Sequence, residues 1–153
     1  MPTPEERLQR LGVSLPSPVA PVAAYVPCVR TGDLVYVSGQ VPVVDGKPSH
    51  LGRLGDNVGL EDGVAAARTC AVNVLAALKA ELGELSRVRR VVKLTGFVAS
   101  TADFTDQPKV INGASELFGE AFGEAGRHAR AAIGVAVLPL GVPVEVDAIV
   151  EVG

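Results

Sequence analysis

Hydrophobic and polar positions change period several times along the chain, and each change marks a predicted element. Pro4 to Gly12 reads as a short helix: Thr3 can cap it, Glu5 and Glu6 fill its first turn, and Gly12 ends it. Ser14 to Pro27 is rich in proline and is expected to run extended over the surface. Two strand patterns follow, Tyr25 to Arg30 and Leu34 to Ser38, joined at Thr31-Gly32-Asp33 as a hairpin. After a loop containing Asp45-Gly46 and Pro48, a further short strand is expected near Leu51 to Leu54. From Glu61 to Leu82 the period lengthens: Val64, Ala67, Ala71, Leu75, Leu78 and Leu82 recur at steps of three and four, and Gly83 stops the helix. Val88 to Ala99 alternates as a strand. Thr105-Asp106-Gln107-Pro108 reads as the cap and first turn of a helix reaching about Phe122. Two closing strands, Arg130 to Leu138 and Val144 to Val152, are joined by Pro139-Leu140-Gly141.

This order predicts an α+β fold in one domain over 1–153, with residues 1–17 as a helical and extended lead-in. The two main helices cover one face of a mixed sheet. Several strands carry apolar residues on both sides, as Leu34 and Tyr36 stand against Val35 and Val37. The second face therefore calls for a partner subunit.

Composition sharpens that picture. The chain has 153 residues, 48% hydrophobic and 20% charged, which excludes disorder. Its mean hydropathy of +0.32 is high for a soluble domain. No apolar stretch is expected to reach the roughly 20 residues of a membrane span, so the excess points to self-association. A net charge of −3 and pI near 5.4 give no general attraction to nucleic acid. Arg87, Arg89 and Arg90 form the densest basic cluster and are read as a solvated strand end. Cys28 and Cys70 lack metal-like spacing, and the N-terminal residues lack a signal-peptide core, so the expected location is cytoplasmic.

Several chemistries find no motif: no Walker loop, no GxGxxG, no GxSxG elbow, and His50 and His128 stand isolated. Each histidine is read as a surface or hydrogen-bonded residue, and neither metal nor cofactor is expected. Phe104, Phe118 and Phe122 are read as packing residues. The closing strands are more informative. Alternation groups Ile133, Val135 and Val137 against Arg130, Ala132, Gly134 and Ala136; it groups Val144, Val146, Ala148 and Val150 against Glu145, Asp147, Ile149 and Glu151. If both larger apolar sets meet the helices, Arg130, Glu145 and Asp147 share the opposite, subunit-facing side. An arginine there suits a planar carboxylate, and a nearby acid can orient water. The alternative is an ordinary Arg–Glu ion pair across the sheet or the interface.

Leu34-Val-Tyr-Val-Ser38-Gly39-Gln40-Val-Pro42, Ala129-Arg130-Ala-Ala-Ile133 with Val137-Leu138-Pro139, and Val144-Glu145-Val-Asp147-Ala148-Ile149 together resemble the RidA (YjgF) family. Tyr25, after Pro21-Val-Ala-Ala, sits where that family carries a tyrosine, and the resemblance spans roughly Pro18 to Val152. It implies a chorismate-mutase-like fold, a homotrimer with clefts between subunits, and cofactor-free deamination of enamine or imine acids such as 2-aminoacrylate. Carried over, Arg130 binds the substrate carboxylate and Glu145 holds the attacking water. Tyr25, Ser38 and Gly39 line the cleft, with Asn112 beside them. The family's cysteine two residues after the arginine is Ala132 here, leaving only a backbone N–H, and its proline before Ala-Arg is His128. The competing reading is a non-catalytic trimer that binds a small carboxylate. Ribonuclease and chorismate-mutase activities rest on family label and fold analogy alone.

Overall fold

The computed structural model describes residues 1–18 and 23–153. The part of the proline-rich lead-in at 19–22, including the Pro21-Val segment of the family resemblance, lies outside the described residues.

Helix α1 (Pro4–Arg10) opens on a capping box: Glu6 N–H donates to the Thr3 hydroxyl at 3.1 Å, and Thr3 N–H donates to the Glu6 carboxylate at 2.9 Å. Its Leu8 is buried, and Glu5 accepts from Lys79 Nζ at 2.7 Å and from Leu85 N–H at 2.9 Å. Partial burial pushes the Glu5 carboxyl up, but these two donors outweigh it and hold it below its ordinary value.

The main sheet contains β1 (Cys28–Thr31), β2 (Leu34–Gln40), β5 (Val88–Ala99), β6 (Ala129–Val135) and β7 (Val144–Val152), in spatial order β1-β2-β7-β5-β6. All neighbours are antiparallel except β5 and β6, which run parallel, so the sheet is mixed and β6 is an edge. A two-residue hairpin, β3 (Val43–Val44) with β4 (Lys47–Pro48), turns through Asp45-Gly46. It is tied down by buried Asn73, whose amide donates to Val41 O at 2.9 Å and Val43 O at 3.1 Å. The strand expected at Leu51 to Leu54 does not form; Leu54 makes only isolated bridges to Val58 and Ser100. Strand β6 also ends at Val135 rather than Leu138. A 3-10 turn at Pro139–Gly141, with Leu140 and Gly141 at positive φ, takes the chain back toward β7.

Helices α2 (Leu60–Leu82) and α3 (Gln107–Phe122) pack side by side on one face. Beneath them lie Val35, Val37, Leu94, Val98 and the even-numbered residues of β7, all buried. Helix α2 is long and apolar enough to cross a bilayer, contrary to the sequence expectation, yet 61% of that window is buried inside the fold, so the core accounts for its character. Helix α3 starts at Asp106 without a side-chain cap; the Asp106 carbonyl accepts from Lys109 and Val110 N–H instead. Phe118 and Phe122 are buried and Phe104 packs against the core, as expected.

The two helices approach closely at Gly113, where any Cβ would collide with the Val64 carbonyl oxygen. Backbone cannot yield there as a flexible side chain can. Gly113→Ala is expected to lower stability by about 2–3 kcal/mol, a Tm loss of roughly 5–10 °C in thermal denaturation. An unchanged Tm would mean that α2 and α3 separate at no cost.

Candidate functional site

The sheet register decides which way Arg130 points. Arg130 pairs with Leu94, Ala132 with Gly96 and Gly134 with Val98, and Leu94, Gly96 and Val98 are all buried beneath the helices. Arg130, Ala132 and Gly134 therefore lie on the helix side, and Ile133, 44% exposed, lies on the open side. This reverses the expected assignment of faces for β6. Small residues sit under α3 because it comes close: a Cβ on Gly134 would stand 2.8 Å from Gln107 Nε2, and one on Gly96 would overlap Ile111. The larger Ile133 and Val135 are left for the other face.

The Arg130 guanidinium reaches α3 and meets three neutral oxygens. Nη1 donates to Asn112 Oδ1 at 2.8 Å and to Ser115 Oγ at 3.1 Å, and Nη2 donates to the Pro108 carbonyl at 3.2 Å. The Arg–Glu ion pair open as an alternative is not made within the protomer. A guanidinium carries five N–H donors. Among the described residues, Nε–H and one Nη2–H remain without a partner, donors of the kind a carboxylate accepts. Ala132 beside it adds little bulk, and its side chain packs on the core.

Glu145 occupies the other face. Val144, Val146, Ala148, Val150 and Val152 point into the core, so Glu145, Asp147 and Ile149 project from the open side, half-buried. Arg130 and Glu145 thus stand on opposite faces of one sheet and do not meet in one protomer. The Glu145 carboxylate lies directly over Gly39, where a Cβ would overlap it, so a larger residue there would push the carboxylate aside. Ser38 donates its hydroxyl to Val26 O at 2.7 Å, and its N–H to Pro27 O at 2.8 Å. That pins the segment carrying exposed Tyr25 beside β2. The structure therefore divides the predicted residues into two clusters: Arg130, Asn112 and Ala132 against α3, and Gly39 and Glu145 on the open face next to the strap of Ser38 and Tyr25. Burial first, and Asp147 second, push the Glu145 carboxyl above its ordinary value. Burial raises Asp147 too, against the opposing pull of Thr95 and Lys93.

Sequence reasoning missed two members of the Arg130 cluster, Ser115 and His128. The available signal was the polar pair Asn112 and Ser115, one turn apart on an apolar helix. His128 is hydrogen-bonded, as expected, to Ser115 Oγ and the Gly126 carbonyl. His50 bonds its neighbour Ser49. Arg87 donates to the Gly153 and Leu82 carbonyls, closing the chain end. The cysteines are inert at neutral pH: burial and Glu81 push Cys28 up to about 11, and burial drives the Cys70 thiol well above its usual range. Among the described residues no group of three or more His, Cys, Asp or Glu side chains gathers at metal-binding distance.

Over residues 5–152 the chain matches the family described as "YjgF/chorismate mutase-like, putative endoribonuclease", and it belongs to that family. It is 52% identical over 145 residues to protein TCP17 of Trypanosoma cruzi, covering 94% of this chain and 91% of that protein. It is similar to the crystal structure of Atu1372 from Agrobacterium tumefaciens, a protein of unknown function (TM-score 0.93, 51% identity, 98% and 92% of the two chains). A "putative endoribonuclease" from Shewanella oneidensis superposes with a TM-score of 0.96 at 37% identity, over 99% and 100% of the chains. E. coli TdcF with bound serine is a more distant likeness, at TM-score 0.64 and 26% identity over 92% and 96%. The α+β, chorismate-mutase-like fold and the RidA (YjgF) resemblance are thereby established.

A carboxyl whose value is raised on folding favours the folded state below the ordinary carboxylate range and loses that contribution as pH rises through the raised value. Glu145→Gln is therefore expected to stabilise the protein at pH 7 by up to about 1 kcal/mol after solvent screening, or roughly 2–4 °C in Tm. The gain should vanish near about pH 4, where the wild-type group is already protonated. A variant less stable than wild type at pH 7 would show that the carboxylate is favourably solvated or paired.

Proposed function

We propose that the protein is a hydrolytic deaminase of small enamine or imine acids, with each active site shared between neighbouring subunits of a ring of three. The observation that carries this reading is the guanidinium of Arg130, held by three neutral oxygens with two donors left over and no carboxylate beside it among the described residues. Such a cation calls for an anion from outside the protomer. The open face supplies the reason to assemble: Val29, Tyr36 and Ile133 are exposed there beside half-buried Phe97 and Ile149. A contact joining the β6 edge of one subunit to the open face of the next is heterologous, and it closes into a ring of three when the rotation between copies is a third of a turn. It would bring Arg130 and Asn112 of one copy to Gly39 and Glu145 of another.

In that cleft the Arg130 guanidinium would grip the substrate carboxylate, and Glu145 would hold a water against the imine carbon. As the water oxygen bonds to carbon, its proton passes to Glu145. Nitrogen takes that proton from Glu145 as it receives the π pair, which gives a neutral carbinolamine; the hydroxyl proton then passes through the same carboxylate to nitrogen as the carbon–nitrogen bond breaks, so that ammonia leaves and the carbonyl of a 2-keto acid remains. A carboxyl poised above its ordinary value is suited to both transfers. An imine carbon is already electrophilic, so positioning contributes most of the rate. The serine in TdcF, a small molecule with a carboxylate beside nitrogen, belongs to the same ligand class. The endoribonuclease description finds no support in charge, since a net −3 offers nothing to a phosphate backbone.

The test is ammonia release from enzymatically generated 2-aminoacrylate. Arg130→Ala is expected to lower kcat/KM at least tenfold, or ~1.4 kcal/mol of transition-state binding. Glu145→Gln should lose turnover while retaining carboxylate affinity. A wild-type protein that binds pyruvate without turnover would be a carboxylate sensor or scaffold; equal rates for wild type and Arg130→Ala would remove the assignment.

A further inference from the structure

Arg130 is itself held at the end of a hydrogen-bond chain whose direction can be read without seeing a proton. The Gly126 carbonyl can only accept, and it lies 2.6 Å from His128 Nδ1, so Nδ1 carries the hydrogen. In the neutral ring Nε2 is then an acceptor, and the Ser115 hydroxyl 2.8 Å away donates to it. With its hydrogen committed to His128, Ser115 Oγ turns its lone pairs outward, and Arg130 Nη1 donates to one of them at 3.1 Å. Every link is of complementary polarity: carbonyl, imidazole, hydroxyl, guanidinium. The chain is partly buried, so each link is shielded from competing water. It also joins three elements: the 3-10 turn at Gly123–Gly126, α3, and the residue that leads into β6.

We propose that Ser115 and His128 are positioning residues for the carboxylate-binding arginine. The inference rests on the deaminase reading above and extends it to residues that touch no substrate. An arginine on an edge strand loses rotamer freedom when it grips a ligand, a cost that falls on binding if it is unrestrained beforehand. Two Nη1 bonds, one to Asn112 and one to Ser115, fix the plane of the group before the ligand arrives, leaving Nε–H and one Nη2–H unspent. His128 keeps the hydroxyl from turning its hydrogen toward Arg130, where two donors would repel. Ser115 is placed here as an acceptor and not as a nucleophile, although a serine–imidazole pair of this geometry also occurs in acyl transfer.

The decisive variant is Ser115→Ala, which deletes one oxygen; His128 also packs edge-on to Phe118 at 6.3 Å, so its replacement carries a packing cost as well. Pyruvate affinity by NMR titration and steady-state ammonia release from 2-aminoacrylate would be compared for wild type, Ser115→Ala, Ser115→Thr and Arg130→Ala. Ser115→Ala is expected to raise pyruvate Kd and KM about tenfold with kcat within about threefold, and Ser115→Thr to restore most of the loss. A purely structural serine would lower Tm and the active fraction while leaving Kd and KM unchanged. Unchanged Kd and KM in Ser115→Ala, with pyruvate binding lost in Arg130→Ala, would overturn the positioning role alone. Unchanged binding in Arg130→Ala would overturn the carboxylate site and this role with it. Covalent labelling of Ser115 by a fluorophosphonate, seen by mass spectrometry, would make it a nucleophile and also overturn the proposal.

Discussion

The account depends on how one guanidinium is satisfied. Arg130 sits on an edge strand, yet it folds back on α3 and spends three of its donors on an amide oxygen, a hydroxyl and a carbonyl. None of those partners carries charge. Part of the group stays in contact with solvent, and its charge is left unpaired within the protomer, so an arriving anion would find it uncompensated. The neutral cradle orients the group without cancelling it.

The sheet then separates this cation from its complementary acid. Strand β6 pairs parallel with β5, in a register that sets Arg130 beside Leu94 and so beneath α3. Strand β7 pairs antiparallel on the other side of β5, with Glu145 opposite Phe97 and its side chain on the open face. Glycine at position 39 lets the carboxylate lie against β2, half-buried and raised in pKa. On the proposed reading, the two clusters on opposite faces would complete one another only across a subunit contact.

Much of this was legible in the sequence where the hydrophobic period was long and unambiguous. Helix α2, strand β5 and strand β7 fall within a residue of their expected limits, because Val-rich alternation and a Gly stop leave few alternatives. The faces of β6 were not legible. Alternation shows which residues share a side but not which side the protomer covers. The larger set, Ile133 and Val135, was assigned to the helices on size, whereas the close approach of α3 reserves that side for Ala132 and Gly134. The strand near Leu51 failed for a related reason: a short apolar run forms a strand only if an edge is available, and Leu54 instead bridges Ser100 at the end of β5. The link from Ser115 and His128 to Arg130 is not legible in the sequence, because it lies in a contact between helix and strand residues that no local spacing encodes.

The most direct test of a shared site mixes two inactive proteins. Arg130→Ala and Glu145→Gln subunits would be unfolded together, refolded as mixed rings, and assayed for ammonia release from 2-aminoacrylate. If each site draws its arginine from one subunit and its acid from the next, random mixing returns about a quarter of the wild-type activity, since one interface in four joins two intact residues. If both residues act within a single protomer, the mixture stays as inactive as its components, and the composite site is refuted.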